Sequence, residues 1–233
     1  YDYEEGTLLF IAPGQVVGSQ GEEYHQPKGL ALVFHPDFIR GTSLGRHIND
    51  YSFFSYATNE ALHLSERERQ IILDCFSKVR HELEHGVDQH SKILIALNIE
   101  LFLNYCARFY DRQFITRNHA NRGVLERFED LLNNFFRSEK PQEIGLLSVS
   151  YCASQLNLSA NYFGDLIKKE TGKSAIEYIH LKLIDVAKEK IVTLNKSVSE
   201  IAYELGFRYP QHFTRKFKQH VGMTPLEYRN SMN

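Results

Sequence analysis

Cysteine is scarce in this chain of 233 residues. Cys75, Cys106 and Cys152 are odd in number, lie far apart and form no C-x-x-C pair, which excludes a disulfide framework and a cysteine-based zinc site. Reduced thiols are therefore expected. No run approaches the roughly 18 consecutive apolar residues that a membrane-spanning helix needs. The acidic start Tyr1-Asp2-Tyr3-Glu4-Glu5 is also unlike the basic opening of a signal peptide. A cytoplasmic protein with no membrane partner is expected. The chain opens without Met and in mid-pattern, so a preceding N-terminal piece is expected as well.

A dominant sign of charge is missing too. The formal net charge is −2, and 42% hydrophobic with 24% charged residues is the composition of an ordinary globular protein, neither disordered nor fibrous. That small total hides an asymmetry. Residues 1–121 carry 11 Lys and Arg against 16 Asp and Glu, a balance of −5, whereas residues 122–233 carry 16 against 13, a balance of +3. A mildly basic C-terminal half behind an acidic N-terminal half fits nucleic-acid contact by one half only.

Along the chain, Thr7-Leu8-Leu9-Phe10-Ile11 ends at Pro13-Gly14, and Leu30-Ala31-Leu32-Val33-Phe34 ends at Pro36. Short apolar runs bounded by turn residues predict strands over about residues 1–60. From Ser65 the period changes. Ser65-Glu66-Arg67-Glu68 is a capping box, and Ile72, Cys75, Phe76, Val79 and Leu83 then recur at helical spacing up to Gly86. A second helix is predicted over about 91–110. It is apolar around most of its circumference and must be covered on more than one side, the second cover being another subunit. The polar stretch from Asp111-Arg112-Gln113 to Asn121-Arg122 predicts a linker, centred on 116–122, and everything after it reads as helix.

The strongest signal is an internal repeat. Val149-Ser150-x-x-Ala153-x-x-Leu156 recurs 49 residues later as Val198-Ser199-x-x-Ala202-x-x-Leu205. One inserted residue makes the offset 50, and Phe163, Lys168, Gly172, Glu177 and Tyr178 then match Phe213, Lys218, Gly222, Glu227 and Tyr228. In each copy a short helix with a small Ala leads through a tight turn, at Asn157 or Gly206, into a second helix ending at Gly. This is the layout of a helix-turn-helix, whose second helix offers its first turns to the major groove. The units span about 147–172 and 197–222. Between them, the capping box at Ser174-Ala175-Ile176-Glu177 opens a helix to about Thr193, a strut roughly 28 Å long.

Residues 122–233 resemble the DNA-binding domain of the AraC/XylS family of bacterial transcription regulators. The resemblance is carried by Ala153-x-x-Leu156-x-x-Ser159-x-x-Tyr162-Phe163, Lys168-Lys169-Glu170-Thr171-Gly172, Ile201-Ala202-x-x-Leu205-Gly206-Phe207, Phe213-x-x-x-Phe217-Lys218 and Gly222-x-Thr224-Pro225-x-x-Tyr228-Arg229. It implies an α+β two-domain protein. A cupin-like effector-binding and dimerising domain at 1–115 would hold a partial β-barrel and dimerisation helices at about 65–110, and an all-α tandem helix-turn-helix domain would follow at 123–233. The partners implied are double-stranded promoter DNA, RNA polymerase, a small-molecule effector and a second copy of the chain. No cofactor and no catalytic residue are expected.

Base-reading candidates are side chains on the first turns of each second helix that its core does not need. In the second unit these are Tyr209, Gln211, His212 and Arg215, since Arg pairs with guanine and Gln with adenine. In the first unit they are Asn161 and Asp165, the latter standing in the place of Arg215 where it can meet only cytosine. Lys168, Lys169, Lys216 and Lys218 are the phosphate candidates.

One motif argues for another class. His81-Glu82-Leu83-Glu84-His85 is a literal H-E-x-x-H, which on a helix can hold zinc beside a general base, so a metal-dependent hydrolase is the alternative function. Both His project opposite the apolar stripe and Gly86 ends the helix, so a charged surface is the favoured reading and no metal is expected. The cupin resemblance also lacks its metal His, because Val17 stands in that place. Tyr24, His25, His35 and Arg40 are polar loop groups for an effector or for capping strands.

Overall fold

The computed structural model describes residues 6–15, 29–86, 88–193 and 196–232. It divides into two compact units, Tyr1–Arg117 and Asn118–Asn233.

In the first unit, β1 (Gly6–Leu8) pairs antiparallel with β2 (Leu62–Leu64), Thr7 opposite His63. Between them come α1 (Pro36–Ile39), α2 (Ser43–His47) and three short 3-10 turns between Ile48 and Glu60. Two long helices follow, α3 (Glu66–Glu84) and α4 (Ser91–Thr116), packed on each other. The predicted capping box is present at the start of α3, with Ser65 accepting from the Glu68 amide while the Glu68 carboxylate accepts from that of Ser65. The buried face of α4 carries Ile95, Ile99, Phe102, Leu103, Cys106, Phe109, Tyr110 and Phe114. This helix is long and apolar enough to cross a membrane by composition; one side of it here forms the core of the unit, while Ile93, Leu94, Leu97 and Leu101 are exposed.

Two expectations are corrected. The strands expected over about 1–60 are reduced, among the described residues, to two of three residues each, which cannot close a barrel. Leu30 to Phe34 is not a strand: Val33 is 88% exposed, and among the described residues no partner strand lies beside the run. An apolar run becomes a strand only if its backbone groups find a ladder. The polar stretch at 111–122 is not an extended linker either. Arg112 belongs to α4, binds the Glu68 carboxylate and donates to the His63 carbonyl at 2.7 Å. Gln113 donates to the carbonyl of Ala61 and accepts from the amide of His63. Its polarity satisfies the backbone of β2, and only Arg117 separates α4 from the next helix.

The second unit is wholly helical among its described residues. It begins with α5 (Asn118–Arg137), whose Val124, Phe128, Leu132, Phe135 and Phe136 are buried, and the short α6 (Lys140–Ile144). The first repeat is α7 (Val149–Gln155) and α8 (Ala160–Thr171). The strut is α9 (Ala175–Thr193). The second repeat is α10 (Val198–Glu204) and α11 (Pro210–Val221), followed by α12 (Pro225–Met232). The repeat exists because the same core is built twice. Ala153 and Ala202 are buried where each helix pair crosses, and Phe163, Phe213 and Phe217 are fully buried. Burying each such ring contributes about 1.5–3 kcal/mol. Arg229 donates to the carbonyls of Ile191 and Lys196, closing the C-terminal end of α9.

Candidate nucleic-acid interface

Each second helix is aimed by its turn and its cap. Asn157 adopts φ +57° and Gly206 φ +87°, and both α8 and α11 end on a left-handed glycine, Gly172 and Gly222. Ser159 caps α8 by accepting from the Tyr162 amide. In α11, Pro210 fills the first turn and Tyr209 makes no side-chain cap bond, so the positive end of the helix dipole there has no side-chain acceptor.

At 100° per residue, Phe213 and Phe217 define the inner side of α11, and Gln211, Arg215 and Lys218 share the outer one. All three are exposed. His212 is exposed beside them, its ring 5.5 Å from that of Tyr209. The guanidinium of Arg208 sits 5.9 Å from the Tyr209 ring centroid. Arg208 escaped the sequence reading because it precedes the helix; a cation next to an exposed aromatic at the helix mouth was the available signal.

In α8 the corresponding side carries Asn161, Asp165 and Lys168. Asn161, Lys168 and Lys169 are exposed and Asp165 is half-buried. Lys168 and Lys169 lie in the last turn, two turns beyond Asn161, where they also complement the helix dipole.

Lys216 is the correction in this set. It is half-buried, and its ammonium lies 2.7 Å from Nε2 of His180 on α9. Burial holds its pKa below the usual lysine value. It is therefore not placed as a free phosphate contact. The repeat contained the signal: 50 residues earlier the same position is Leu166, which is buried.

His81 and His85 are exposed at the end of α3 with ring centroids 4.1 Å apart, and Nδ1 of His85 is 3.0 Å from the carbonyl oxygen of His81. Among the described residues no group of three or more His, Cys, Asp or Glu side chains is arranged to hold a metal. His35 caps α1 and Arg40 pairs with Asp37, while Tyr24, His25 and Val17 lie outside the described residues. The first unit does contain a pocket of about 280 Å³ lined by Phe10, Phe53, Tyr56 and Tyr110 among others.

Residues 152–231 match the family described as a helix-turn-helix domain. Over 86 residues the chain is 37% identical to the uncharacterized transcriptional regulatory protein YesN of Bacillus subtilis, covering 36% of this chain and 23% of that one. Over 230 residues it is 22% identical to the probable transcriptional regulator LumQ of Photobacterium leiognathi, covering 97% and 83% of the two chains. The C-terminal domain of AraT, a response regulator of Geobacillus stearothermophilus, aligns with 46% of this chain and 84% of its own, at 25% identity and a TM-score of 0.41. The chain spans less than a quarter of the first two curated relatives it matches. The family match over residues 152–231, which takes in most of both repeat units, defines that stretch as a helix-turn-helix domain, similar in sequence to those of bacterial transcription regulators.

Proposed function

We propose that the whole chain is a sequence-specific transcription regulator that binds promoter DNA through α8 and α11 and answers to a small-molecule effector. The observation that carries this reading is the pair of recognition helices, each with buried aromatics on one side and exposed hydrogen-bonding side chains on the other. Gln211 and Arg215 read bases in one major-groove segment, assisted by Tyr209 and His212; Asn161 reads in the next, where Asp165 can accept from cytosine. Lys168, Lys169, Lys218 and Arg208 supply sequence-blind attraction to phosphates.

The first unit serves sensing and dimerisation. Ile93, Leu94, Leu97 and Leu101 are exposed on α4, opposite its buried face, and Leu83 is exposed on α3. A second copy of the chain is the cover this stripe fits, because spacings of three and four residues place Leu94, Leu97 and Leu101 on one seam. The aromatic pocket of this unit is where an apolar or aromatic effector would sit. Output passes to RNA polymerase at the promoter, by recruitment or obstruction.

Selection of duplexes from a random library by the intact chain, followed by footprinting, tests the reading. Enrichment of one motif with paired half-sites is expected. Recovery of random sequence at every salt concentration would refute it.

A further inference from the structure

Lys216 and Leu166 are repeat equivalents, related by the same offset of 50 as Phe213 and Phe163. Position 216 therefore flanks the core, away from the side that carries Gln211, Arg215 and Lys218. There the ammonium is 2.7 Å from Nε2 of His180, and Nδ1 of His220 is 2.9 Å from the peptide oxygen of Lys216. The rings of His180 and His220 lie 6.2 Å apart. An ammonium has donors only, so this contact exists while Nε2 of His180 has a free lone pair to accept with. We propose that His180 and Lys216 form a proton-sensitive positioning contact that seats α11 on α9, so that protonating His180 weakens sequence-specific DNA binding. The proposal rests on the reading of α11 as a recognition helix.

Protonated His180 would put a second positive charge against the first, with His220 alongside, and several carboxylates of the neighbouring helices have partners of their own. Glu129 of α5 accepts from Tyr178, and Glu170 of α8 accepts from Asn121. Glu204 of α10 holds Lys190 and Lys196, and Glu227 of α12 caps its own helix at Thr224. On α9 itself Asp185 pairs with Lys188, and Glu177 is exposed. Burial first, then Lys216 and His220, hold the His180 imidazole below its ordinary pKa of 6.5. The stability of the contact is thus complete above that value and is lost as pH falls from it through the folded-state pKa.

The test compares the highest-affinity duplex selected by the intact chain with a scrambled duplex of equal length, at fixed salt, from about pH 8 to about pH 5.5. The specific-to-scrambled affinity ratio of the wild type should fall on the order of tenfold, within the ordinary range of coupling between two sites. Lys216→Leu installs the residue that the first repeat uses and should keep the ratio at neutral pH while removing the part of its pH dependence that His180 carries; exposed His212 contributes equally in wild type and variant. His180→Gln retains an acceptor that cannot protonate and should lose the same part of the pH dependence. A Lys216→Leu chain that keeps the wild-type pH dependence, or whose salt slope drops by about one unit as for a lost phosphate contact, overturns the proposal. NMR titration of the His180 ring in free protein is independent of any duplex: its midpoint should rise in Lys216→Leu, and an unchanged midpoint also overturns the proposal. If no duplex outcompetes its scrambled form but the midpoint rises, the contact stands and the recognition-helix reading fails, taking the link to DNA with it.

Discussion

Replacing Gly206 by Ala should destabilise the C-terminal unit by about 2–5 kcal/mol, from two separable sources. The backbone there has φ +87°, where a Cβ crowds its own carbonyl, a penalty of about 1–2 kcal/mol. The new Cβ would also stand 2.7 Å from the Pro141 carbonyl oxygen and 2.9 Å from the carbonyl carbon and oxygen of Gly145. These are backbone atoms that cannot rotate aside, and such overpacking costs typically 1–3 kcal/mol. Gly172 supplies the control. It has φ +72° but nothing within 4 Å of an added Cβ, so Gly172→Ala should cost only the conformational part. Because two units are present, global denaturation is not a clean two-state measurement. Native-state amide exchange of α10 and α11, with α3 and α4 as internal reference, assigns the loss to its own unit. If Gly206→Ala and Gly172→Ala agree within about 0.5 kcal/mol, the small difference expected of sites free of such features, the close approach of Gly206 to the 141–145 segment is refuted.

Three further outcomes follow from the same geometry. Arg215→Ala should weaken binding to the selected duplex by about 1–3 kcal/mol and relax preference at one base pair, whereas Lys218→Ala should weaken all duplexes alike and reduce the salt slope by about one unit; equal losses on selected and scrambled DNA for Arg215→Ala would make it a phosphate contact. Leu97→Glu with Leu101→Glu should convert a dimer to a monomer by sedimentation and abolish the preference for paired over single half-sites, which linkage otherwise raises by about 10²–10⁴-fold; a wild type that is monomeric at tens of micromolar sinks the dimer. Lys196 and Lys190 hold the Glu204 carboxyl below its ordinary pKa of 4.5, so its contribution is present above that pH and is lost as pH falls through the lower folded-state value. Glu204→Gln should accordingly lower the thermal midpoint at neutral pH, by an amount that shrinks as pH falls below 4.5; a drop that is the same at neutral and acid pH would show that packing, not charge, is what Glu204 supplies.

The tandem repeat, the strut and the buried sides of the second helix of each unit were determined by the sequence alone. A helix-turn-helix core imposes short-range demands, a small residue at the crossing, a turn that accepts positive φ and a buried aromatic in the second helix, and each demand leaves a residue at a fixed spacing. Ala153 and Ala202, Asn157 and Gly206, and Phe163 and Phe213 record them twice. Capping boxes at Ser65 and Ser197 work the same way, since donor and acceptor lie within one turn.

What tertiary structure decided is everything whose partner is distant in the chain. Leu30 to Phe34 has the composition of a strand, but no neighbour among the described residues offers it a ladder. Arg112 and Gln113 resemble linker residues until β2, some 50 positions away, gives their polar groups a buried function. Lys216 and Lys218 are alike as letters and two residues apart, yet one meets an imidazole on α9 while the other faces outward. Composition records what a side chain can do; only the approach of a second element, which lowers the local dielectric and supplies or withholds a hydrogen-bond partner, settles which of those things it does.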